Sequence, residues 1–363
     1  MARTKTVRAA LFLVFHAAAV SLIPAPVASA DIVIGRGIPP YELHLRAGLD
    51  ALKRKDFTAA EKAFSESLAV AVAADKKAAP LLGLVQVAIA RGDRAAQERH
   101  FQQVLAVAPG RADVQTLWGR HLRSTGRVAE AEAAFRRATR DPAAVDPHLH
   151  LGDLYLTALN RPLDAIKSYR AVLAIEPRHP GARYGLGLAL AATGQHAEAE
   201  KQLVEATKLA PSNPLAYHAL GLLYLEQKRT DLAFDTFGRA IRVFPAFPAA
   251  HVEQGKILMG RGADGDALAA FERAAQADPA LAEPLVRIGM VHQRNRRWTE
   301  AEAAYRAALK IDDRLAIVYN NLAWMAVERG TGLKEAIALA RRATSLAPSV
   351  PEFQTTLNRL LGK

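Results

Sequence analysis

Large apolar residues return along this chain at a fixed interval. Phe101, Phe135, Tyr169, Leu203, Phe237, Phe271 and Tyr305 stand 34 residues apart. Small residues keep the same interval: Ala131, Ala165, Ala199, Ala233, Ala267 and Ala301 lie four before, and Ala138, Ala206, Ala240, Ala274 and Ala308 three after. Offsets of four and three put all three sets on one face of an α-helix. A second series, Gly119, Gly152, Gly187, Gly221, Gly255 and Gly289, runs upstream at steps of 33 to 35, usually behind Leu, Ile or Trp. Most of these glycines are followed three residues later by a large side chain such as Leu122, Tyr155, Leu190, Tyr224 or Leu258. Turn residues separate the two series, as in Thr125-Gly126-Arg127, Thr193-Gly194-Gln195 and Arg261-Gly262-Ala263, and prolines close the period at Pro109, Pro142, Pro177, Pro211, Pro245, Pro279 and Pro348. Each period therefore predicts a helical hairpin. Helix A offers a glycine where helix B approaches closely, helix B inserts a ring between two alanines, and proline ends helix B because it cannot continue it.

These positions resemble the tetratricopeptide repeat, a unit of 34 residues with an aromatic or polar residue at 4, Leu-Gly at 7 and 8, Tyr at 11, Ala at 20, Phe at 24, Ala at 27 and Pro at 32. The unit from Pro214 to Phe247 carries Tyr217, Leu220, Gly221, Tyr224, Ala233, Phe237, Ala240 and Pro245 at those places. Nine units start near Tyr41, Lys77, Ala112, Val145, Pro180, Pro214, Pro248, Ala282 and Ala316. The resemblance implies an all-α fold, an α-solenoid wound as a right-handed superhelix of about nine hairpins over residues 41–351, closed by a capping helix and tail over 352–363. The edges depart from the pattern. The first unit lacks the proline and three extra residues follow it; the second has Val85, and the ninth Ala323, in place of the glycine; helix B of the ninth runs one residue late.

The start of the chain reads as an address. Arg3, Lys5 and Arg8 precede a mostly apolar run from Ala9 to Ile23, and Ala28-Ser29-Ala30 supplies the small-x-small pattern of a signal peptidase site. Cleavage is expected between Ala30 and Asp31, with residues 1–30 as signal peptide and 31–40, which include two glycines and Pro39-Pro40, as an extended linker. The alternative is a retained anchor, but the run is about fifteen residues, short of the ~20 that span a bilayer, and His16 interrupts it. No later stretch approaches that length, so the mature form is expected to lack a transmembrane segment and, in a bacterium with an outer membrane, to be periplasmic. Lys and Arg number 48 against 36 Asp and Glu, a formal charge of +12; removing the three basic residues of the signal leaves 45 minus 36, or +9. Acidic partners are favoured. There is no cysteine, which excludes disulfides, thiol catalysis, thiolate metal sites and a lipidated N-terminal cysteine.

Catalytic and cofactor motifs do not emerge from the repeat. Gly185-Leu186-Gly187 falls on the helix A packing position, without the strand that a phosphate-binding loop needs. His148 and His150, two apart, point in nearly opposite directions on a helix and do not share a metal. The basic cluster from His292 to Trp298 spans a turn where exposed arginine is ordinary, and export removes most nucleic-acid partners; Arg91-Gly92-Asp93 is a turn as well. No enzyme, cofactor, metal site or nucleic-acid partner is expected.

What the resemblance implies is a groove lined by helix A, where positions 2, 5, 6, 9, 12 and 13 of each unit face a peptide or helix of a protein partner. Carried onto this chain, the candidate partner-binding residues are Arg120, Tyr184, Leu188, His218, Leu222, Lys256, Arg287, Met290, Asn320 and Trp324. Tyr184, Leu188 and Leu222 are expected to take apolar anchors with Arg120, Lys256 and Arg287 supplying charge, unless the leucines pack between neighbouring A helices. The lysine and asparagine set of the family's clamp for a C-terminal carboxylate is absent. The segment Asn320–Gly330 resembles exported proteins that accompany polysaccharide-export, pilus or exosortase machines. A non-catalytic periplasmic scaffold of such an envelope assembly is therefore the favoured reading, and a binder of acidic polysaccharide or of the anionic envelope surface the alternative.

Overall fold

In the computed structural model, which describes residues 38–330 and 332–362, the repeat becomes a series of antiparallel helix pairs. The predicted signal peptide and residues 31–37 of the linker lie outside the described residues. Nineteen helices are found among the described residues. The first four pairs are α1 (Pro40–Lys53) with α2 (Phe57–Val70), α3 (Ala74–Arg91) with α4 (Arg94–Val107), α5 (Ala112–Ser124) with α6 (Val128–Ala138), and α7 (Val145–Thr157) with α8 (Pro162–Ile175). The fifth consists of α9 (Pro180–Ala192) and α10 (His196–Leu209). Then come α11 (Pro214–Glu226) with α12 (Thr230–Val243), α13 (Pro248–Gly260) with α14 (Asp264–Ala277), α15 (Ala282–Arg294) with α16 (Trp298–Ile311), and α17 (Ala316–Arg329) with α18 (Leu333–Leu346). A last helix, α19 (Pro351–Leu360), follows. Helix A of the third to ninth hairpins starts at the residue the sequence names; α1 starts one residue early and α3 three. The chain forms two compact units, one ending at Gln202 and the other beginning at Leu203, within α10.

The large side chain of helix B, a ring in seven of the nine hairpins, is the centre of its hairpin. Phe64, Phe101, Phe135, Phe237 and Phe271 are fully buried, as are Tyr169 and Tyr305. A Cβ placed on Gly221 would come within 2.5 Å of Phe237 Cε1, and one on Gly255 equally close to Phe271 Cε1. Such contacts do not occur between real atoms, so only glycine admits the ring. In the fourth hairpin the ring of Tyr169 lies against two glycines, Gly152 of its own helix A and Gly185 of the next.

The turn between helices A and B repeats a backbone requirement. Gly92, Gly126, Gly194, Gly262 and Gly330 are left-handed there, and so are Lys55, Asn160, Lys228 and Arg296 at the equivalent places of the other hairpins. Beside these turns runs a series of ion pairs joining successive hairpins. In the first unit Arg91 meets Glu61 at 2.5 Å, Arg127 meets Glu98 at 3.1 Å and Arg161 meets Glu132 at 3.2 Å. In the second unit Arg261 pairs with Asp231, Arg294 with Asp264, and Arg329 with Glu302. The turn residues Arg91-Gly92-Asp93 are thus structural: Arg91 makes a rung, Gly92 the left-handed turn, and Asp93 accepts the Ala96 N–H at 2.9 Å to cap α4.

The ninth hairpin has no ring, and its departures from the pattern have a physical reason. Ala323 and Ala340 occupy the glycine and ring positions, both fully buried, and Leu357 and Leu360 of α19 pack with them and with Ala336. Small residues let the last helix settle where a ring would have stood.

Candidate functional site

Two of the buried rings carry a hydroxyl, one in each unit, and the hydroxyls reach the helix A residues that the sequence assigns to the binding face. In the first unit Tyr169 Oη donates to Asp153 Oδ1 at 2.7 Å. Burial, then the charge of Asp153, pushes the Tyr169 phenol well above its ordinary range. Burial raises the Asp153 carboxyl too, opposed by the Tyr169 bond, Arg123 and His179. Tyr184 on α9 is raised for the same reasons, burial first and Asp153 second. From the other side, the His150 ring stacks on Phe135 with centroids 5.3 Å apart. Its imidazole is lowered to about 3 by burial and then by Arg120 and Arg123. Arg120, Arg123, His150, Asp153 and Tyr184 thus form one half-buried cluster on α5, α7 and α9.

In the second unit Tyr305 Oη donates to Gln293 Oε1 at 2.6 Å and accepts from Asn321 Nδ2 at 3.1 Å, which ties α15 to α17 through the ring of α16. The neighbouring Asn320 is not so engaged: its Oδ1 is buried with no hydrogen-bond partner among the described residues. Arg287 on α15 shows the same feature. Its Nη2 reaches Glu283 at 3.2 Å while its Nε is buried and unpartnered. Met290 and Trp324, three and four residues further along the same two helices, are half-buried.

The sequence-predicted residues thus divide. Arg120 and Tyr184 join the cluster of the first unit; Arg287 and Met290 lie on α15 of the second, and Asn320 and Trp324 on its α17. Lys256 is half-buried and its Nζ lies 2.8 Å from Glu253. The structure corrects the expectation that Leu188 and Leu222 take apolar anchors, and it buries His218, a third candidate of the groove. They are 5%, 8% and 4% exposed, and His218 packs against Phe237 and Phe247 with ring centroids 5.6 and 5.4 Å away. Close stacking of helices uses these side chains as core. Arg123 and Gln293 stand at position 12 and Asn321 at position 6 of their units, on the face the repeat assigns, but sequence reasoning does not name them as candidates, and it sets His150 aside as structural or surface. The available signal was Tyr in place of Phe on helix B at 169 and 305, since a buried phenol needs a partner.

Other features have structural duties. Within the basic cluster of residues 292–298, Arg294 pairs with Asp264, Asn295 donates to Asp264 Oδ2 at 2.6 Å, and Trp298 packs on the local core. A cavity of about 170 Å³ where α16, α17 and α18 meet is lined by Leu309, Leu322, Met325 and Leu339, and Glu302 at its edge holds Arg306 at 2.7 Å and Arg329 at 3.5 Å. Among the described residues no helix is long and apolar enough to cross a membrane, and no group of three His, Asp or Glu is placed to hold a metal ion.

Comparison with known proteins places this arrangement. Sequence patterns described as Tetratricopeptide repeat match residues 156–223 and residues 82–145, 218–282 and 286–351. No curated protein matches the chain in sequence. Among solved structures, the APC/C hetero-tetramer Cut9–Hcn1 superposes with a TM-score of 0.54 at 15% identity, over 88% of this chain and 76% of that one. The likeness shows the fold, an α-solenoid. MamA is 27% identical over 44% of this chain and 94% of its own, with a TM-score of 0.41. Pseudomonas aeruginosa pilF is 20% identical over 68% and 97%, with a TM-score of 0.49.

Proposed function

We propose, for a chain that belongs to the tetratricopeptide repeat family, an exported, non-catalytic scaffold that holds a segment of a protein partner of an envelope assembly along its A helices. Tetratricopeptide arrays are protein–protein interaction scaffolds with extended binding surfaces, and that is the coarse function of this chain. The finer reading rests on one observation, the half-buried polar cluster of Arg120, Arg123, His150, Asp153 and Tyr184. A stacking surface needs apolar side chains. Here it holds a carboxyl, a phenol and an imidazole whose ionisation is displaced by burial, an arrangement characteristic of sites that receive a ligand. The basic, apolar and small-residue order of residues 1–30 supports export.

A photo-crosslinking amino acid at position 184, introduced in the native host, is expected to yield a discrete protein adduct that the same amino acid at exposed Arg170 on α8 does not. A folded, exported chain with no adduct at 184 overturns the finer reading. Export has its own check: the N-terminal sequence of the native protein is expected to begin at Asp31, and a chain that keeps Met1 in the cytoplasmic fraction refutes it. The alternative reading, binding of acidic polysaccharide, rests on the +9 net charge expected after residues 1–30 are removed.

A further inference from the structure

The ion pairs around the cavity between α16, α17 and α18 hold helices together, but packing does not account for the space they surround. Repeat positions explain how it arises. In the sixth hairpin Phe234 stands on helix B, and Arg261 of the next hairpin lies over its ring, 4.9 Å from the centroid. Two steps of 34 further on, the same two positions hold Glu302 and Arg329. Glu302 gives Oε1 to Arg306 at 2.7 Å and Oε2 to Arg329 at 3.5 Å. A carboxylate turned to two arginines does not fill the room a ring takes, and a cavity of about 170 Å³ is lined by all three residues. Its floor is apolar: Leu309, Leu322, Met325, Ala336 and Leu339. Water finds no polar partner on such a floor and is poorly held. The rim reaches solvent, since the side chains of Arg306 and Glu335 are 58% and 67% exposed.

We infer that this cavity receives one aromatic side chain of a protein partner, packed on Met325 with Arg329 against its face. The inference rests on the scaffold reading and adds a contact apart from the helix A candidates. Two of the three walls are B helices, and Arg287, Met290, Asn320 and Trp324 do not line it. Size selects the occupant first. An apolar cavity of about 150 Å³ holds a benzene, whereas sites for whole small molecules run to roughly 300 to 1,000 Å³. The ring therefore enters and the rest of its molecule stays outside, as a side chain on a polypeptide does. Chemistry then selects a ring over an aliphatic group, because a methionine sulfur and a guanidinium both gain from aromatic contact. The chain uses the same pairing elsewhere, with Arg161 over Tyr155 at 4.6 Å and Arg229 over Tyr224 at 4.5 Å. Two arginines and two glutamates balance on the rim, which favours an uncharged ring.

The full chain has four methionines, so labelling their methyl groups with carbon-13 gives a magnetic resonance signal inside the cavity. Met325→Leu identifies that signal as the one it removes. With N-acetyl-phenylalaninamide as the probe, the Met325 methyl is expected to shift saturably, and N-acetyl-leucinamide at about tenfold excess is expected not to displace the probe. Glu302→Phe supplies the ring that the sixth hairpin has at this place, and Ala326→Leu narrows the cavity from α17. Each should weaken the probe about tenfold or more, with melting curves to confirm folding, and Arg329→Gln should weaken it about threefold. A Met325 signal that never moves, binding that survives both filling variants, or displacement by the leucine amide overturns the inference. Toluene that shifts the signal where the blocked amino acid does not also overturns it, in favour of a free aromatic molecule. These failures leave an adduct at position 184, in the other unit, and with it the scaffold reading, untouched. Ring capture without that adduct overturns the finer scaffold reading and leaves the cavity a ring site.

Discussion

The sixth and eighth hairpins lie in the same unit and share one design, yet a single atom separates what their central rings do. In α12 the ring is Phe237, sealed between Ala233 and Ala240 and pressed on Gly221. In α16 it is Tyr305, equally buried and pressed on Gly289, but its hydroxyl passes through the hairpin to Gln293 and Asn321. The steric part of the job is identical in both. The polar part exists only in the second, where it joins α15 to α17. Packing and helix-to-helix hydrogen bonding are therefore carried by different atoms of one side chain, and substitution separates them.

The largest effect is expected where the ring only packs. Phe237→Ala removes a fully buried ring whose site cannot collapse onto the rigid helix pair, and should cost about 3 to 5 kcal/mol. Calorimetry should show a lower thermal midpoint; an unchanged one would mean that the ring is not central to its hairpin.

Acid should probe the sixth hairpin next. His218 sits there against Phe237, whereas the eighth hairpin has Val286 at the equivalent place. Burial, then the charge of Lys256, lowers the His218 imidazole from 6.5 to about 4. Between those values the unfolded chain binds a proton that the folded chain does not, so stability rises with pH across the window. The contribution is complete above about 6.5 and is lost as pH falls towards 4, about 3 kcal/mol in total. His218→Val should therefore narrow the gap between melting points at pH 7 and pH 4.5. His150, lowered to about 3 in the other unit, adds a parallel loss to both proteins, while the raised Asp153 carboxyl works in the opposite sense, so the comparison is between variant and parent.

Removing the hydroxyl alone should be milder. Tyr305→Phe leaves the ring in place and deprives Gln293 and Asn321 of one bond each, at a cost of about 1 to 2 kcal/mol. Its melting point should fall, by less than that of Phe237→Ala, and a melting point equal to the parent's would mean that the two bonds add nothing to stability.

The hairpins were legible in the sequence because their physics is local and repeated. Glycine against ring, alanine on either side and proline at the end act within one unit, so the period alone placed seven helix starts to the residue. The binding face was half legible. Position within the repeat named Arg120, Tyr184, Arg287 and Asn320, which stay half-buried, but it could not tell whether a leucine on helix A faces solvent or a neighbouring helix, and Leu188 and Leu222 proved to be core. That distinction depends on how closely successive hairpins stack. The hydroxyls of Tyr169 and Tyr305 were visible as letters and silent as chemistry, because their partners lie 16 and 12 residues away on another helix, with Asn321 16 residues on in the next hairpin.

The smallest effect concerns a requirement that both hairpins meet without glycine. Lys228 in the sixth and Arg296 in the eighth hold φ of 61° and 57°, where the seventh hairpin between them uses Gly262 at 77°. A side chain in this left-handed region costs roughly 1 to 2 kcal/mol, part of which a glycine returns through the greater freedom it gives the unfolded chain. Lys228→Gly and Arg296→Gly should each stabilise the protein by about 0.5 to 1 kcal/mol. Gly262→Ala should destabilise it by a similar amount, although nothing lies within 4 Å of the added atom. Because that site is sterically open, a loss there can come only from the backbone. Opposite signs at 228 and 262 would establish that the turn demands its conformation and not its residue, and equal signs would show that the lysine side chain stabilises the turn by contacts of its own.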